Sequence, residues 1–349
     1  MTICKRCVLP DTVPGITFDD DGVCNQCRSF KEFTYYGHDA LEKLADEARE
    51  KERQYDCVVP LSGGRDSSYV LYLAKVELGL NVLAVNYDNE FITEAAYANM
   101  RNACKALEID LVSIRSKKNL ASKVVYHNIF CSDLSRLLGV CRACTYGHRA
   151  VVYKVTSDKK IPLILWGNSK QEETKGMLQK AKKLLRKQQS RMPRFFNPHY
   201  YAYEWYFLLL RLELPMPGHF VPTRSTKFSS TDIAEVSVFD YIPWDREMIK
   251  KTITGKLGWV KPQDSISTWR TDCLLSTVVS HCFYKTYGCT KHCFGHSRMI
   301  NDGSKAREDA LREEEAMIGD VLKGDQMRRL LKETIGLSDA ETQKVMSSD

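Results

Sequence analysis

Apolar residues in the first half of the chain fall into short runs, separated by segments of helical spacing. Strands are predicted where a run is too short for a buried helix, at 55–61, 81–85, 110–114 and 161–166. Helical spacing predicts helices at 38–54, 66–78, 93–107, 117–138 and 142–157. Because strands alternate with helices, the pattern predicts an α/β fold with a doubly wound parallel sheet.

The pattern changes after residue 174, where a basic and aromatic insertion is predicted at 175–220. Its first part, 175–194, contains eight Lys or Arg residues and no acid, with apolar residues at helical spacing. We interpret it as a helix that binds a nucleic-acid backbone, a nucleotide diphosphate or an acidic subunit, or as a solvated face over a leucine stripe. The second part, 195–207, contains eight Phe, Tyr or Trp residues, which either pack in the core or contact a ligand or partner.

Three regions are predicted along the chain. Residues 1–37 are rich in cysteine and turn residues and form a small ribbon. Residues 38–244 form the α/β domain, with a further strand at 235–239 that rejoins the sheet. Residues 245–349 form a mostly helical C-terminal region.

The composition, with 43% hydrophobic and 27% charged residues, is that of a globular protein. The N-terminus lacks the apolar core of a signal peptide, and no run of about 18 uncharged apolar residues is present to span a membrane. We therefore expect a cytoplasmic protein without membrane contact. The net charge of +7 fits an anionic ligand or partner, and it fits an ordinary basic surface equally well.

A glycine-containing loop with the sequence SGGRDSS, at 62–68, lies between a predicted strand and a predicted helix. Adjacent glycines allow backbone N–H groups to turn toward a ligand, and the helix N-terminus offers unpaired donors to phosphate. Arg65 adds a cationic fork, and Asp66 is expected to hold Mg²⁺ beside the phosphates. The predicted catalytic residues are Arg65, Asp66 and Ser67. The residues predicted to bind the nucleotide at this loop are Pro60, Leu61, Ser62, Gly63, Gly64, Ser67 and Ser68.

The loop lacks the Walker A pattern and resembles the PP-loop of the N-type ATP pyrophosphatases. Those enzymes split ATP between the α- and β-phosphates and transfer AMP to an oxygen. The resemblance therefore implies ATP and Mg²⁺ as cofactors. It also implies that the end of the second strand contacts the adenosine, through Val85, Asn86 and Asp88.

A second motif of the same enzymes resembles the segment that follows the fourth strand. Gly167 and Asn168 would contact phosphate, and Glu172 or Glu173 would supply the acid that holds metal. Of these two, Glu173 is the predicted binding residue. Both motifs lie at carboxyl ends of strands, where open α/β sheets bind their ligands.

Four cysteines in the N-terminal region form two Cys-x-x-Cys pairs around a turn-rich segment: Cys4, Cys7, Cys24 and Cys27. Four thiolates at this spacing predict a tetrahedral zinc site. Because so short a module cannot bury a sufficient core, the metal would supply folding energy. A site with four cysteine ligands has no open position, so we predict a structural role.

A third pair, Cys141 and Cys144, is predicted to form a second metal site with the distant Cys273. This order of cysteines resembles the tRNA-thiolating branch of the PP-loop enzymes, in which three cysteines hold a 4Fe–4S cluster with one open iron. The alternatives are a second zinc site with a fourth ligand from downstream, or small helix residues that bind no metal. The candidate fourth ligands are His281, Cys282, Cys289, His292, Cys293 and His296.

The ordered set of motifs resembles the N-acetyl sugar amidotransferases of bacterial surface-polysaccharide biosynthesis, over roughly residues 1–310. The motifs are the two N-terminal cysteine pairs, VVPLSGGRDSSYVLY, VLAVNYDN, CRACTYG, LWGNS and WRTDC. The resemblance implies that an acetamido group on a nucleotide-linked sugar becomes an acetamidino group, in lipopolysaccharide O-antigen or a related glycan. AMP transfer turns the amide oxygen into a good leaving group, which ammonia then replaces. The stretch 281–296, rich in His and Cys, departs from the family pattern.

The resemblance also implies partners. No Cys–His–Glu glutaminase triad is recognisable, so ammonia is expected from a separate glutaminase through a barrel protein, as in imidazole glycerol-phosphate synthase. We expect that partner to dock on the basic or aromatic surface, we expect no nucleic acid, and a homo-oligomer is compatible with the sequence. The alternatives are a tRNA-modifying enzyme (a thiolase with an iron–sulfur cluster or a lysidine-type ligase) and a zinc-ribbon partner protein without enzymatic activity.

Overall fold

The computed structural model describes residues 1–130, 140–171, 197–216, 233–262 and 265–347. The basic segment at 175–194 and the two predicted acids, Glu172 and Glu173, lie outside these residues. None of the helices in the described ranges is both long enough and apolar enough to cross a membrane.

The sheet contains five parallel strands: β1 Cys57–Pro60, β2 Val82–Asp88, β3 Asp110–Arg115, β4 Leu163–Trp166 and β5 Ala234–Ser237. Their order is β3-β2-β1-β4-β5. Cys57 pairs with Val82 on one side and with Leu163 on the other, so β1 is the central strand. Every residue of β1 is buried, as expected for a parallel strand with helices on both faces. The predicted α/β class and parallel sheet are confirmed.

Thirteen α-helices accompany the sheet in the described residues. They are α1 Asn25–Arg28, α2 His38–Arg49, α3 Arg65–Tyr72, α4 Glu94–Leu107, α5 Leu120–Ile129, α6 Arg142–Asp158, α7 Pro198–Glu213, α8 Arg246–Leu257, α9 Leu275–Tyr287, α10 His292–Asn301, α11 Arg307–Lys323, α12 Asp325–Arg329 and α13 Asp339–Ser347. The predicted helical C-terminal region is confirmed. The helix predicted to begin at 117 begins instead at Leu120, because Lys118 and Asn119 have left-handed backbone conformations.

The aromatic segment forms most of α7, and the helix divides it between two environments. Tyr203 and Phe207 are buried against the sheet, whereas Tyr201 and Trp205 are more than half exposed. Tyr203 and Phe207 therefore pack in the core, which is one of the two roles predicted for the aromatic segment. Phe195 and Phe196 lie outside the described residues.

Two larger packing units organise the chain around the sheet. One face of the sheet packs on α3 and on the apolar side of α8, including Ile249 and Ile253. A separate core joins the four N-terminal cysteines to α9–α13. Arg307 joins the C-terminal helices to the cysteine module, since its guanidinium donates to the carbonyls of Cys7 and Cys4 at 3.0 Å each. The N-terminal and C-terminal regions thus share one core, and the domain boundaries stay predictions.

Candidate functional site

The phosphate loop, residues 62–68, connects the carboxyl end of β1 to the first turn of α3. Gly63 has a φ of +76°, and a Cβ there would lie 2.2 Å from the backbone oxygen of Ala96. Conformation and space therefore both require glycine at this position. Gly64 is the N-cap of α3 and makes no side-chain capping hydrogen bond. The helix therefore has no N-cap side chain that would compete with a bound anion.

The loop serines hydrogen-bond within the loop. The Oγ atoms of Ser62 and Ser67 lie 3.1 Å apart, and Ser68 Oγ donates to the Gly64 carbonyl at 2.8 Å. Ser62 and Ser67 are half-buried, whereas Ser68 is fully buried. The first two hydroxyls can therefore rotate toward a phosphate, and Ser68 braces the turn.

Side chains from outside the loop fix its carbonyl groups. Gly63 O accepts hydrogen bonds from Asn99 Nδ2 at 3.2 Å and from Trp259 Nε1 at 3.0 Å. Leu61 O accepts from Asn86 Nδ2 at 2.8 Å. These hydrogen bonds satisfy the carbonyl groups of Leu61 and Gly63 and brace the loop.

Arg65 and Asp66 form an ion pair at the start of α3. Arg65 donates through Nε to Oδ1 at 2.7 Å and through Nη2 to Oδ2 at 3.0 Å. Thr268 Oγ1 accepts from Arg65 Nη1 at 2.8 Å, and the Trp244 ring lies 4.8 Å from the guanidinium. Trp244 Nε1 also donates to Asp66 Oδ1 at 3.2 Å. Both carboxylate oxygens are therefore engaged, and the predicted phosphate and Mg²⁺ roles of this pair stay predictions.

A second segment, residues 268–273, lies against the loop. Its position is fixed by backbone hydrogen bonds, from Thr93 N to Asp272 O at 3.2 Å and from Leu274 N to Phe91 O at 2.8 Å. Asp272 Oδ2 lies 3.4 Å from the position that a Cβ would take at Gly64. A carboxylate that the sequence reasoning did not assign therefore faces the phosphate loop.

The residues predicted to contact adenosine hold β2 to its neighbours. Val85 is fully buried in the sheet. The Asn86 side-chain oxygen accepts a hydrogen bond from Ser113 Oγ at 3.0 Å, and Asp88 forms an ion pair with Arg115 at 2.6 Å. All three lie at the carboxyl half of β2 beside the loop, and their contact with adenosine stays a prediction.

The segment after β4 approaches the loop closely. A Cβ at Gly167 would lie 3.1 Å from the backbone carbon of Asp66, so this glycine allows the first turn of α3 to pass. The Asn168 carbonyl accepts from Ser237 Oγ at 3.2 Å, which joins this turn to β5. These two predicted residues therefore lie beside the loop.

The four N-terminal cysteines converge on one point. Their Sγ atoms lie 3.7 Å apart for Cys7 and Cys24, 3.5 Å for Cys24 and Cys27, and 4.0 Å for Cys4 and Cys27. Tetrahedral zinc with bonds of about 2.3 Å requires sulfur–sulfur distances of about 3.8 Å. Hydrogen bonds within the cluster lower the pKa of Cys24 and raise the pKa values of Cys7 and Cys27. The predicted cluster is confirmed as a group able to hold a metal ion.

The second cysteine set gathers around Asn89. Its Nδ2 lies 3.1 Å from Cys144 Sγ and 3.7 Å from Cys273 Sγ, while Cys141 is exposed at the start of α6. Burial raises the pKa of Cys144 to about 11, and the charges of Cys141 and Asp272 add to the shift. The structure therefore brings Cys144 and Cys273 together close to the loop. In the described ranges, only the N-terminal cluster gathers three or more ligand atoms within 4.8 Å, so metal binding by this set stays a prediction.

The candidate fourth ligands lie mainly in the second core. Cys289 and Cys293 contact each other at 3.4 Å between sulfur atoms. His296 Nε2 lies 3.3 Å from a Glu313 oxygen, and the His292 ring packs edge-on against Trp269. The described His and Cys residues of the 281–296 stretch are therefore largely buried among protein partners.

A cavity of about 600 Å³ opens next to Cys273. It runs from the 268–273 segment to the C-terminal helices, and its lining includes Trp269, Arg270, Ser276 and Arg329. The cavity therefore borders the second cysteine set through Cys273.

Sequence reasoning missed three residues of this site: Asn89, Asp272 and Trp244. A signal existed for the first two, since Asn89 directly follows β2 and Asp272 precedes a cysteine already singled out. Trp244 carried no such signal, because its position beneath Arg65 depends on the packing of distant segments.

Known proteins resemble this chain at low sequence identity. No protein-family model matches the chain. The chain is similar to an uncharacterized protein of Methanocaldococcus jannaschii, with 27% identity over 173 residues, which is 47% of this chain and 58% of that protein. It thus spans less than two thirds of that relative. Among solved structures it is similar to the U34-tRNA thiolase NcsA from Methanococcus maripaludis with its 4Fe–4S cluster, at 13% identity, 89% coverage of each chain and a TM-score of 0.34. So low a score carries no argument about function.

Proposed function

We propose that this chain is an ATP-dependent enzyme that transfers AMP to an oxygen of its substrate and then allows a nucleophile to replace that oxygen. One observation carries the proposal. The uncapped N-terminus of α3 follows a two-glycine turn at the carboxyl end of the central strand, which is where parallel sheets bind phosphates.

The loop accounts for the first chemical step. Its N–H groups would hold the triphosphate while the substrate oxygen attacks the α-phosphorus. The bond from that phosphorus to the bridging oxygen breaks, and pyrophosphate leaves with the charge that the donors and Mg²⁺ stabilise. The substrate carbon then carries AMP as its leaving group. A nucleophile adds to this carbon, and AMP departs.

The products of ATP test this proposal. We expect AMP and pyrophosphate in equal amounts when the protein is incubated with ATP, Mg²⁺ and its acceptor. ATP–pyrophosphate exchange would detect the first step without the second. Formation of ADP and phosphate in place of AMP would refute the adenylate mechanism.

The arrangement of the cysteines favours sulfur as the atom that replaces the substrate oxygen. Cys144 and Cys273 share the amide of Asn89 beside the loop, and Cys141 lies one helical turn before Cys144. Three thiolates leave an iron–sulfur cluster with one open position, which would supply bound sulfur at the adenylate. Their place next to the loop and the large cavity supports a tRNA thiolase-like function, and the net charge of +7 suits an RNA acceptor.

Nitrogen is the second candidate. The order of motifs resembles the N-acetyl sugar amidotransferases, and the structure packs two of these motifs together, because the Trp269–Cys273 sequence lies on the phosphate loop. In this case ammonia from a separate glutaminase would replace the oxygen of a sugar acetamido group.

The replacement of Cys144 by serine distinguishes the two candidates. If sulfur is transferred, protein purified without oxygen should show the broad visible absorption of an iron–sulfur cluster, and Cys144→Ser should lose both this colour and tRNA thiolation. Cys104→Ser, which alters a buried thiol outside the site, is the matched control. A colourless wild-type protein that forms an amidine from an N-acetylated nucleotide sugar and ammonia would instead support the amidotransferase.

A further inference from the structure

Asp272 has an unusual environment for a carboxylate. It is half-buried, it faces the phosphate loop at Gly64, and its side chain has no hydrogen bond or ion pair with any residue in the described ranges. Other carboxylates around the site are paired, Asp66 with Arg65 and Asp88 with Arg115. The position of Asp272 is nevertheless well fixed, because Thr93 bonds its carbonyl and the Thr271 carbonyl, the latter through Oγ1 at 2.9 Å.

The charge of this carboxylate conflicts with the charge of the expected ligand. A nucleotide triphosphate bound to the loop would bring several negative charges close to Asp272. Repulsion between them would weaken binding unless a cation lies between the two. Mg²⁺ meets this requirement, because proteins bind it with one or two carboxylates together with the phosphate oxygens of the substrate.

The surroundings of Asp66 also favour a metal ion at Asp272 over one at Asp66. Both of its oxygens accept hydrogen bonds from Arg65, and Oδ1 also accepts one from Trp244. A metal ion at Asp66 would have to displace a buried guanidinium. A metal ion at Asp272 would displace no protein partner in the described residues.

The backbone next to Asp272 provides a second observation. Arg270 has a φ of +56°, a left-handed conformation that a residue with a side chain adopts at a cost. Such strain is characteristic of segments that hold a ligand. Two residues later, Asp272 Oδ2 lies 3.4 Å from the position that a Cβ would take at Gly64.

We propose that Asp272 is the protein ligand of the Mg²⁺ ion that accompanies ATP. This carboxylate would hold the ion beside the triphosphate, while Asp66 holds Arg65 at the start of α3. This inference rests on the proposed ATP-binding function and assigns the metal within it.

Mn²⁺ binding tests the inference without turnover. Mn²⁺ is titrated into the full-length protein with a non-hydrolysable ATP analogue and followed by electron paramagnetic resonance. We expect Asp272→Asn to weaken Mn²⁺ binding to this complex by at least about 10-fold, because replacing even a residue that only orients a metal ligand costs about 10- to 100-fold in affinity. Asp272→Glu should recover part of the affinity, and Asp309→Asn, which alters an exposed carboxylate of α11, should bind like wild type.

The Asp66→Asn variant gives the opposing outcome. If its Mn²⁺ affinity falls while that of Asp272→Asn matches wild type, the assignment is overturned in favour of Asp66. If wild type binds the Mn²⁺–nucleotide complex but never releases pyrophosphate, the proposed function fails while the metal assignment is still tested. In a pyrophosphate-release assay, excess Mg²⁺ should restore part of the Asp272→Asn rate, and an unchanged Mg²⁺ dependence would contradict the assignment.

Discussion

Replacing Gly63 by alanine is expected to lower pyrophosphate release by at least about 100-fold, the effect of losing one preorganised donor in a charged transition state. A Cβ at this position would lie 2.2 Å from the Ala96 carbonyl oxygen, which belongs to the rigid first turn of α4. The loop would have to move, and its N–H groups would no longer converge on the phosphates. Calorimetric titration measures the affinity for ATP, and a pyrophosphate assay measures the rate of pyrophosphate release.

Gly79→Ala is the matched control for this experiment. Gly79 has a φ of +63°, but a Cβ there meets no atom within 4 Å. It therefore introduces the conformational strain of about 1 to 2 kcal/mol without the steric clash. ATP binding should survive in this variant. Equal losses in both variants would show that reduced stability, rather than loop geometry, explains the Gly63 result.

Replacing Cys24 by alanine is expected to remove the zinc ion and to unfold the core shared by the N-terminal module and α9–α13. Structural zinc contributes about 10 to 16 kcal/mol in small zinc-finger peptides, which matches or exceeds the whole stability of most domains. Elemental analysis should show one metal ion fewer per chain than wild type. Thermal unfolding should begin at a lower temperature, with loss of helical signal.

Cys104→Ala serves as the control, because it removes a buried thiol from α4 without touching the cluster. It should retain the metal content of wild type. A Cys24→Ala protein with unchanged metal content and unchanged unfolding would show that the four cysteines do not hold a structural ion.

The sheet could be predicted from sequence because its information is local. The central run around Cys57 is apolar at consecutive positions, and only a strand covered on both faces buries all of them. The cysteine cluster could also be predicted, because two Cys-x-x-Cys turns have few ways to place four sulfur atoms except around one ion. The strand needed only consecutive residues, and the cluster needed two cysteine pairs that span 23 positions.

The charged part of the site could not be predicted in the same way. Arg65 was expected to bind phosphate, but its adjacent partner Asp66 and the distant Trp244 and Thr268 compete for the same guanidinium. Asp272 reaches the loop only through backbone pairing with residues near position 92, about half the chain away. Interactions between positions so far apart leave no periodic trace in a single sequence.

The shared core of the two chain ends has a consequence for synthesis. The cysteine module leaves the ribosome before Arg307 and helices α9–α13, on which it packs, have been made. At translation rates of about 5 to 20 residues per second, the module waits roughly 15 to 60 s for these partners. During that interval its thiols are open to oxidation or to the wrong metal. Early capture of zinc would hold the four cysteines together until these helices have been made.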